Sequence, residues 1–147
     1  MSYGAHADGL KAMLTVSENL CFWSSVHGGR HGGRHGGGAF AGAMQAMNLM
    51  ALADRRAADL SAGQKRRLGL ARMWVTGHKV WLLDEPTVSL DAASVQLFGT
   101  MLRGHLGQGG SAVIATHIDL GIDAAVLDLT PFKAVPRTDG VFDEAFL

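Results

Sequence analysis

The spacing of hydrophobic residues along this chain predicts an alternation of strands and helices. Residues 80–83 and 111–116 are short, largely apolar runs, typical of strands buried on both faces of a parallel sheet. Between them, residues 92–105 carry apolar side chains at helical spacing. A strand, helix, strand run of this length predicts a crossover joining two parallel strands, so the fold class is α/β.

The first half of the chain reads as helical after a glycine-containing loop over residues 3–10. Thr15 and Glu18 have the spacing of a capping box that opens a helix. Residues 43–59 show helical periodicity from Met44 to Leu52, with methionines on the core face, until residues 54–56 break the pattern. Ser61 is a good N-cap for a helix over 64–74. Near the other end, residues 124–130 predict an edge strand or a short helix, and the prolines that follow predict a loop.

Residues 27–38 are rich in glycine and histidine. On a helix, His27, His31 and His35 would line one face and could bind metal or haem. The intervening glycines each cost a helix roughly 1 kcal/mol relative to alanine. We therefore favour a low-complexity surface insertion between two helices.

Composition limits the class of protein. The 147 residues could bury one modest core, and the formal charge of zero gives no global electrostatic reason to expect a nucleic-acid partner. The single cysteine, Cys21, fits a reducing compartment. No apolar run approaches the roughly 20 residues needed to span a bilayer, and the N-terminus does not have the pattern of a signal peptide. We expect a cytoplasmic protein whose membrane association, if any, goes through a partner.

Two groups of residues have the chemistry of a phosphate site. Asp84 and Glu85 directly follow the first buried run, and His117 follows the second. Because parallel strands end at the same edge of a sheet, these three side chains should emerge together, where open α/β sheets bind ligands. Residues 61–63 precede a helix, whose first N–H groups attract anions.

The same stretches resemble the motifs of ABC-type ATPases. Residues 60–64, Leu-Ser-Ala-Gly-Gln, differ by one substitution from the Leu-Ser-Gly-Gly-Gln signature of that family. Residues 82–86, Leu-Leu-Asp-Glu-Pro, resemble its Walker B strand with the catalytic glutamate, and residues 89–91, Ser-Leu-Asp, resemble its D-loop. The surrounding sequence is similar to the ATP-binding subunits of the cytochrome c maturation (Ccm) haem exporters.

The resemblance implies part of a P-loop NTPase domain, with a parallel sheet core and a helical subdomain. Residues 1–74 would hold the Q-loop region, the helical subdomain and the signature helix. Residues 75–130 would hold Walker B, the D-loop and the switch histidine, and residues 131–147 a tail. Residues 27–38 have no counterpart in the family pattern.

The resemblance also assigns roles to particular residues. ATP and Mg²⁺ would be the ligands, with Asp84 holding the metal, Glu85 acting as general base and His117 contacting the γ-phosphate. The signature loop would contact ATP held by the opposite subunit, Asp91 would couple the two sites, and His6 stands where the family usually has the Q-loop glutamine. A plain loop histidine is an equal alternative for His6. The signature residues concerned are Ser61, Ala62, Gly63 and Gln64.

The implied partners are a second copy of the ATP-binding subunit and the membrane subunits of a Ccm-type haem export complex. The protein would then lie at the cytoplasmic face of the inner membrane, as a peripheral subunit. Two alternatives remain open: an ABC ATPase for another substrate, and a non-catalytic, truncated interaction module.

One family motif is not found in the sequence. No Gly-x-x-x-x-Gly-Lys-Ser/Thr stretch occurs between Met1 and Leu147. The phosphate loop would then lie before Met1, as expected of a fragment, a truncated product or a mispredicted start. We expect the chain alone neither to bind nor to hydrolyse ATP appreciably. We also expect residues 80–83 to lack flanking strands, which would leave an exposed edge and poor stability.

Overall fold

A computed structural model describes residues 1–4, 9–27 and 37–132. This part of the chain holds a parallel sheet packed against helices, as the α/β prediction required. None of the helices it contains is both long enough and apolar enough to cross a lipid bilayer. The strands are β1 (Ser2–Gly4), β2 (Val80–Asp84) and β3 (Ser111–Ala115), and the helices are α1 (Val16–Val26), α2 (Gly37–Ala46), α3 (Ala62–Val75) and α4 (Ala92–Gly107).

The sheet has the strand order β1-β2-β3, and both pairings are parallel. In the β2–β3 ladder, Val80 lies opposite Ser111 and Asp84 lies opposite Ala115. The strand, helix, strand crossover predicted from the hydrophobic pattern is therefore confirmed, with α4 between β2 and β3. Both strands end at one edge, which places the residues after Asp84 beside those after Ala115.

The prediction that β2 has no flanking strands is wrong. Ser2–Gly4, expected to belong to a loop, pairs with Trp81, Leu82 and Leu83, so β2 is bonded on both sides. Only three residues form β1, and a hydrophobic pattern cannot be recognised over so short a run. Their pairing is fixed by β2, which lies far away in sequence.

The description of 111–116 as a strand buried on both faces is also wrong. β3 is an outer strand within the described residues, and Val113 keeps 66% of its surface exposed. In contrast, Trp81 and Leu83 of β2 are only 1% and 3% exposed. An exposed edge was predicted at residues 80–83, but the unpaired edges of the described sheet belong to β1 and β3.

Helices α1 and α2 pack on α3 to form the helical part. The predicted capping box begins α1: the Glu18 N–H donates to Thr15 Oγ1 at 3.1 Å, and the Thr15 N–H donates to Glu18 Oε2 at 2.8 Å. Asn19, which is 1% exposed, donates its amide to the carbonyls of Lys11, Leu14 and Thr15. These bonds fix the preceding loop to α1.

The helix predicted within residues 43–59 is displaced. α2 spans Gly37–Ala46, and Asn48 then takes a positive φ of 49°, which ends the helical path before a single 3₁₀ turn at Met50–Leu52. The methionine prediction is confirmed for Met44 and Met47, which are 1% and 0% exposed. It is wrong for Met50, which is 58% exposed.

The regular element predicted at 124–130 is wrong as well. The chain there is irregular up to a 3₁₀ turn at Thr130–Phe132, and Val126 and Leu127 are 92% and 77% exposed. Nothing described packs against these apolar side chains to order them into a strand or helix. The predictions for His6, for most of the Gly/His-rich stretch and for the tail after residue 132 lie outside the described residues.

Candidate functional site

The site begins at the turn that follows β2. Asp84 is the last residue of the strand, and the Glu85 N–H continues the ladder by donating to the Ala115 carbonyl at 2.9 Å. Glu85 has φ +44°, an uncommon conformation for a residue with a side chain. The turn is closed by the Val88 N–H, which donates to the Glu85 carbonyl. Glu85 therefore leaves the sheet edge on a strained, hydrogen-bonded turn.

The Glu85 carboxylate meets His117, as the parallel topology predicted. Nδ1 of His117 lies 3.1 Å from Oε2 and 3.3 Å from Oε1. Their side chains are 36% and 73% exposed, so water and a ligand can reach the pair. A carboxylate that can accept a proton thus lies beside an imidazole that it orients.

Asp84 adds a second carboxylate next to Glu85, at the carboxyl end of the central strand. Asp84 is half-buried, and its backbone carbonyl accepts a hydrogen bond from Nη2 of Arg66. The carboxylate oxygens of its side chain take no part in that bond and could bind a metal ion. Carboxylate oxygens are the ligands that Mg²⁺ prefers in proteins. The donor set of this edge therefore fits magnesium.

The predicted N-cap of α3 is confirmed in detail. The Gln64 N–H donates to Ser61 Oγ at 3.3 Å, and the Ser61 N–H donates to Gln64 Oε1 at 2.9 Å. Ser61 and Ala62 are exposed, so the first turn of α3 faces solvent. A helix N-terminus in this state can bind an anionic oxygen.

Gly63 brings the α3 cap against the turn that follows Glu85. A Cβ on Gly63 would lie 2.8 Å from the Ser89 carbonyl oxygen, closer than side chains approach backbone atoms. Ser89 itself has φ +66°. The glycine is therefore required for this contact, which packs the two predicted functional loops of one chain directly together.

Arg66 is a residue that the sequence analysis missed. It is 6% exposed, and its guanidinium donates to the carbonyls of Asp84, Glu85 and Pro86 at 3.1, 2.6 and 3.1 Å. α3 thereby holds the backbone of the turn that carries Glu85. Helical spacing was the available signal, because Arg66 lies one turn before the buried Leu70 on the apolar face.

Asp91 has a local role that the motif comparison did not indicate. It is the N-cap of α4, with Oδ1 accepting from the Ser94 N–H at 2.8 Å. Hydrogen bonding from Ser94 lowers the pKa of the Asp91 carboxyl, because the bond favours the charged form. Asp91 therefore fixes the start of α4 at the end of the Glu85 turn.

The chain is similar in sequence to known proteins. The family model described as "ABC transporter" matches residues 1–88. A "Cytochrome c biogenesis ATP-binding export protein CcmA" of Cereibacter sphaeroides is 61% identical over 91% of this chain. A protein of the same name from Ruegeria sp. (strain TM1040) is 61% identical over 95% of it. The chain spans 60% and 65% of the lengths of these two relatives.

A solved structure has the same fold. It is described as a dimeric, post-hydrolysis state of the ATP-binding cassette MJ0796 bound to ADP and Pi. The TM-score is 0.67 at 22% sequence identity, over 79% of this chain and 51% of that one. At this identity the likeness establishes the fold alone.

Proposed function

The chain belongs to the ABC transporter family, and we propose that it forms part of an ATP-hydrolysing subunit that serves haem export in cytochrome c biogenesis. The observation that carries the proposal is the contact between Glu85 and His117, next to Asp84, at the carboxyl edge of a parallel sheet. The relatives named for cytochrome c biogenesis support the choice of pathway.

In this proposal Glu85 is the general base. A water oxygen attacks the γ-phosphorus of ATP, the bond from that phosphorus to the β,γ-bridging oxygen breaks, and ADP and phosphate leave. The Glu85 carboxylate takes the proton from the attacking water, and its strained turn keeps it at the sheet edge. His117, oriented through Nδ1, uses its other nitrogen to contact the γ-phosphate and stabilise its charge.

Asp84 would hold Mg²⁺, which when bound neutralises charge on the phosphates. Ser61, Ala62, Gly63 and Gln64 would offer the N-terminus of α3 to the γ-phosphate of a nucleotide held by a second subunit. The dimer described for MJ0796 supports an arrangement of two such subunits. Asp91, at the end of the same turn, would couple the two sites.

The expected setting is the cytoplasmic face of the inner membrane, where this subunit would bind the membrane subunits of a Ccm-type haem export complex. The division into a helical subdomain, a catalytic core and a tail remains a prediction of the same resemblance. So does the inactivity of the chain by itself towards ATP.

The test is a chromosomal Glu85→Gln substitution in the native host, with haem bound covalently to c-type cytochromes as the readout. We expect these cytochromes to be lost, and His117→Ala to have the same effect. Asp54→Asn, at an exposed residue away from the sheet edge, is the control and should leave them at the wild-type level.

Three outcomes separate the alternatives. Loss of c-type cytochromes in Glu85→Gln with an intact control supports the proposal. Normal c-type cytochromes in both the substituted and the gene-deleted strains point to an ABC ATPase for another substrate. Loss on deletion but not in Glu85→Gln supports a non-catalytic interaction module and contradicts the proposed chemistry.

A further inference from the structure

Two histidines meet on the molecule outside the Glu85 site. His27 is the C-cap of α1, and His78 lies in the turn between α3 and β2. Gly77, with φ +64°, turns the chain directly before His78. The centroids of the two imidazole rings are 5.0 Å apart, and the ring planes are inclined at 79°. Segments distant in sequence therefore bring two potential metal ligands together.

The position of His27 is defined by Trp23, one helical turn earlier. The two rings are stacked at 5.5 Å between centroids and 13° between planes. The Arg72 guanidinium also lies against Trp23, 4.6 Å from a ring centroid, and donates to the Tyr3 carbonyl of β1. Trp23 is thus a fixed surface that restricts the orientation of the His27 ring.

His78 presents a nitrogen without a partner. Its Nδ1 is inaccessible to solvent and forms no hydrogen bond with the described residues. Metal ions bind imidazole through a ring nitrogen that carries no proton. An unpaired polar atom in this position costs free energy that a ligand would recover.

The ring separation agrees with shared coordination. A zinc–nitrogen bond of about 2.0–2.1 Å and tetrahedral angles place two coordinated imidazole centroids roughly 5 Å apart. The observed distance between the His27 and His78 ring centroids is 5.0 Å, which agrees with this separation. Within the described ranges, no group of three or more histidine, cysteine, aspartate or glutamate residues has the geometry of a metal site.

We propose that His27 and His78 bind one divalent transition-metal ion of the zinc class, with one nitrogen from each ring and water completing the coordination. Imidazole nitrogen suits Zn²⁺, Ni²⁺ and Cu²⁺, whereas Mg²⁺ requires oxygen. With two protein ligands the site is open and its affinity modest. The proposal is independent of ATP hydrolysis, because neither histidine touches the Glu85 turn.

The test is calorimetric titration of the chain with Zn²⁺. We expect one ion per chain, and at least about tenfold weaker binding in each of His27→Ala and His78→Ala, because each removes a ligand. The matched control is the double variant His31→Ala/His35→Ala, which removes two histidines of the adjacent glycine-rich stretch and should bind like the wild type. Mg²⁺ at the same concentration should give no binding at this pair.

Direct localisation keeps the test valid if a variant fails to fold. In the ¹⁵N-labelled wild type, Zn²⁺ should shift the ring-nitrogen resonances of His27 and His78 together. Binding that survives in His78→Ala, or that disappears in His31→Ala/His35→Ala, would place the metal elsewhere and overturn the proposal. So would shifts confined to other histidines.

Discussion

Replacing Arg66 with alanine removes the side chain that connects α3 to the turn carrying Glu85. The guanidinium is 6% exposed and donates to three consecutive backbone carbonyls, those of Asp84, Glu85 and Pro86. After the substitution these carbonyls lose their donor, while the positive φ of Glu85 still has to be maintained. The turn should become the least stable part of the sheet edge.

The magnitude follows from the number of bonds and from their burial. A hydrogen bond from a charged donor contributes about 1.5–3 kcal/mol, but a carbonyl that water can reach recovers part of that. Two of the three bonds are only partly buried, and removing Arg66 also relieves the cost of burying a charge. The net loss should be about 2–4 kcal/mol, a large fraction of the roughly 5–15 kcal/mol that stabilises a domain.

Arg67 provides a matched control on the same helix. It donates to the carbonyls of Met47 and Asn48 from a less buried position, so Arg67→Ala should cost about 1 kcal/mol. The assay is urea unfolding followed by circular dichroism, with the free energy of unfolding compared between the two variants. Arg66→Lys should fall between wild type and Arg66→Ala, because a single ammonium cannot reach three carbonyls in a fork.

Hydrogen exchange tests whether the loss is located at the turn. The Val88 amide, which closes the turn on the Glu85 carbonyl, should exchange faster in Arg66→Ala and unchanged in Arg67→Ala under native conditions. The reasoning is refuted if Arg66→Ala costs no more than Arg67→Ala. It is equally refuted if the Val88 amide keeps its protection.

Three further predictions concern other parts of the site and sheet. Gly63→Ala should destabilise the chain by about 1–3 kcal/mol in urea unfolding, because its methyl group meets the Ser89 carbonyl, whereas Gly107→Ala has open space and should be neutral or slightly stabilising. The pKa of Asp91 is lowered in the folded state, so the stability that its carboxylate contributes is complete above the pKa of an unfolded aspartate, about 4, and is lost as the pH falls through the folded pKa. The difference in unfolding free energy between wild type and Asp91→Ala should therefore shrink in acid, and a difference that stays constant down to acid unfolding would contradict this. The chain should self-associate with rising concentration through the open side of β3, and Val113→Lys should reduce this in sedimentation velocity, with Val88→Lys, on a loop, as the ineffective control.

Local sequence determined the parts of this fold that depend on neighbouring residues. The capping box at Thr15 and the N-cap at Ser61 are both present as predicted, and Ser61 also forms a capping box with Gln64, three residues on. The β2 and β3 strands and the helix between them also follow from short-range periodicity. In contrast, β1 forms because it pairs with residues 81–83 of β2, and no property of Ser2–Gly4 alone indicates that partner.

The candidate site likewise combines features that the sequence predicts with features that depend on residues distant in sequence. Topology alone placed Glu85 and His117 at one edge, because two parallel strands joined by a helix must end together. It could not give the positive φ of Glu85, which depends on carbonyls held from another element by Arg66. Helical spacing put Arg66 on the buried face, but only the positions of β2 and α3 show what its guanidinium reaches. The sequence therefore named the groups that we propose for hydrolysis, whereas Arg66, which holds the backbone of the Glu85 turn, was visible only in three dimensions.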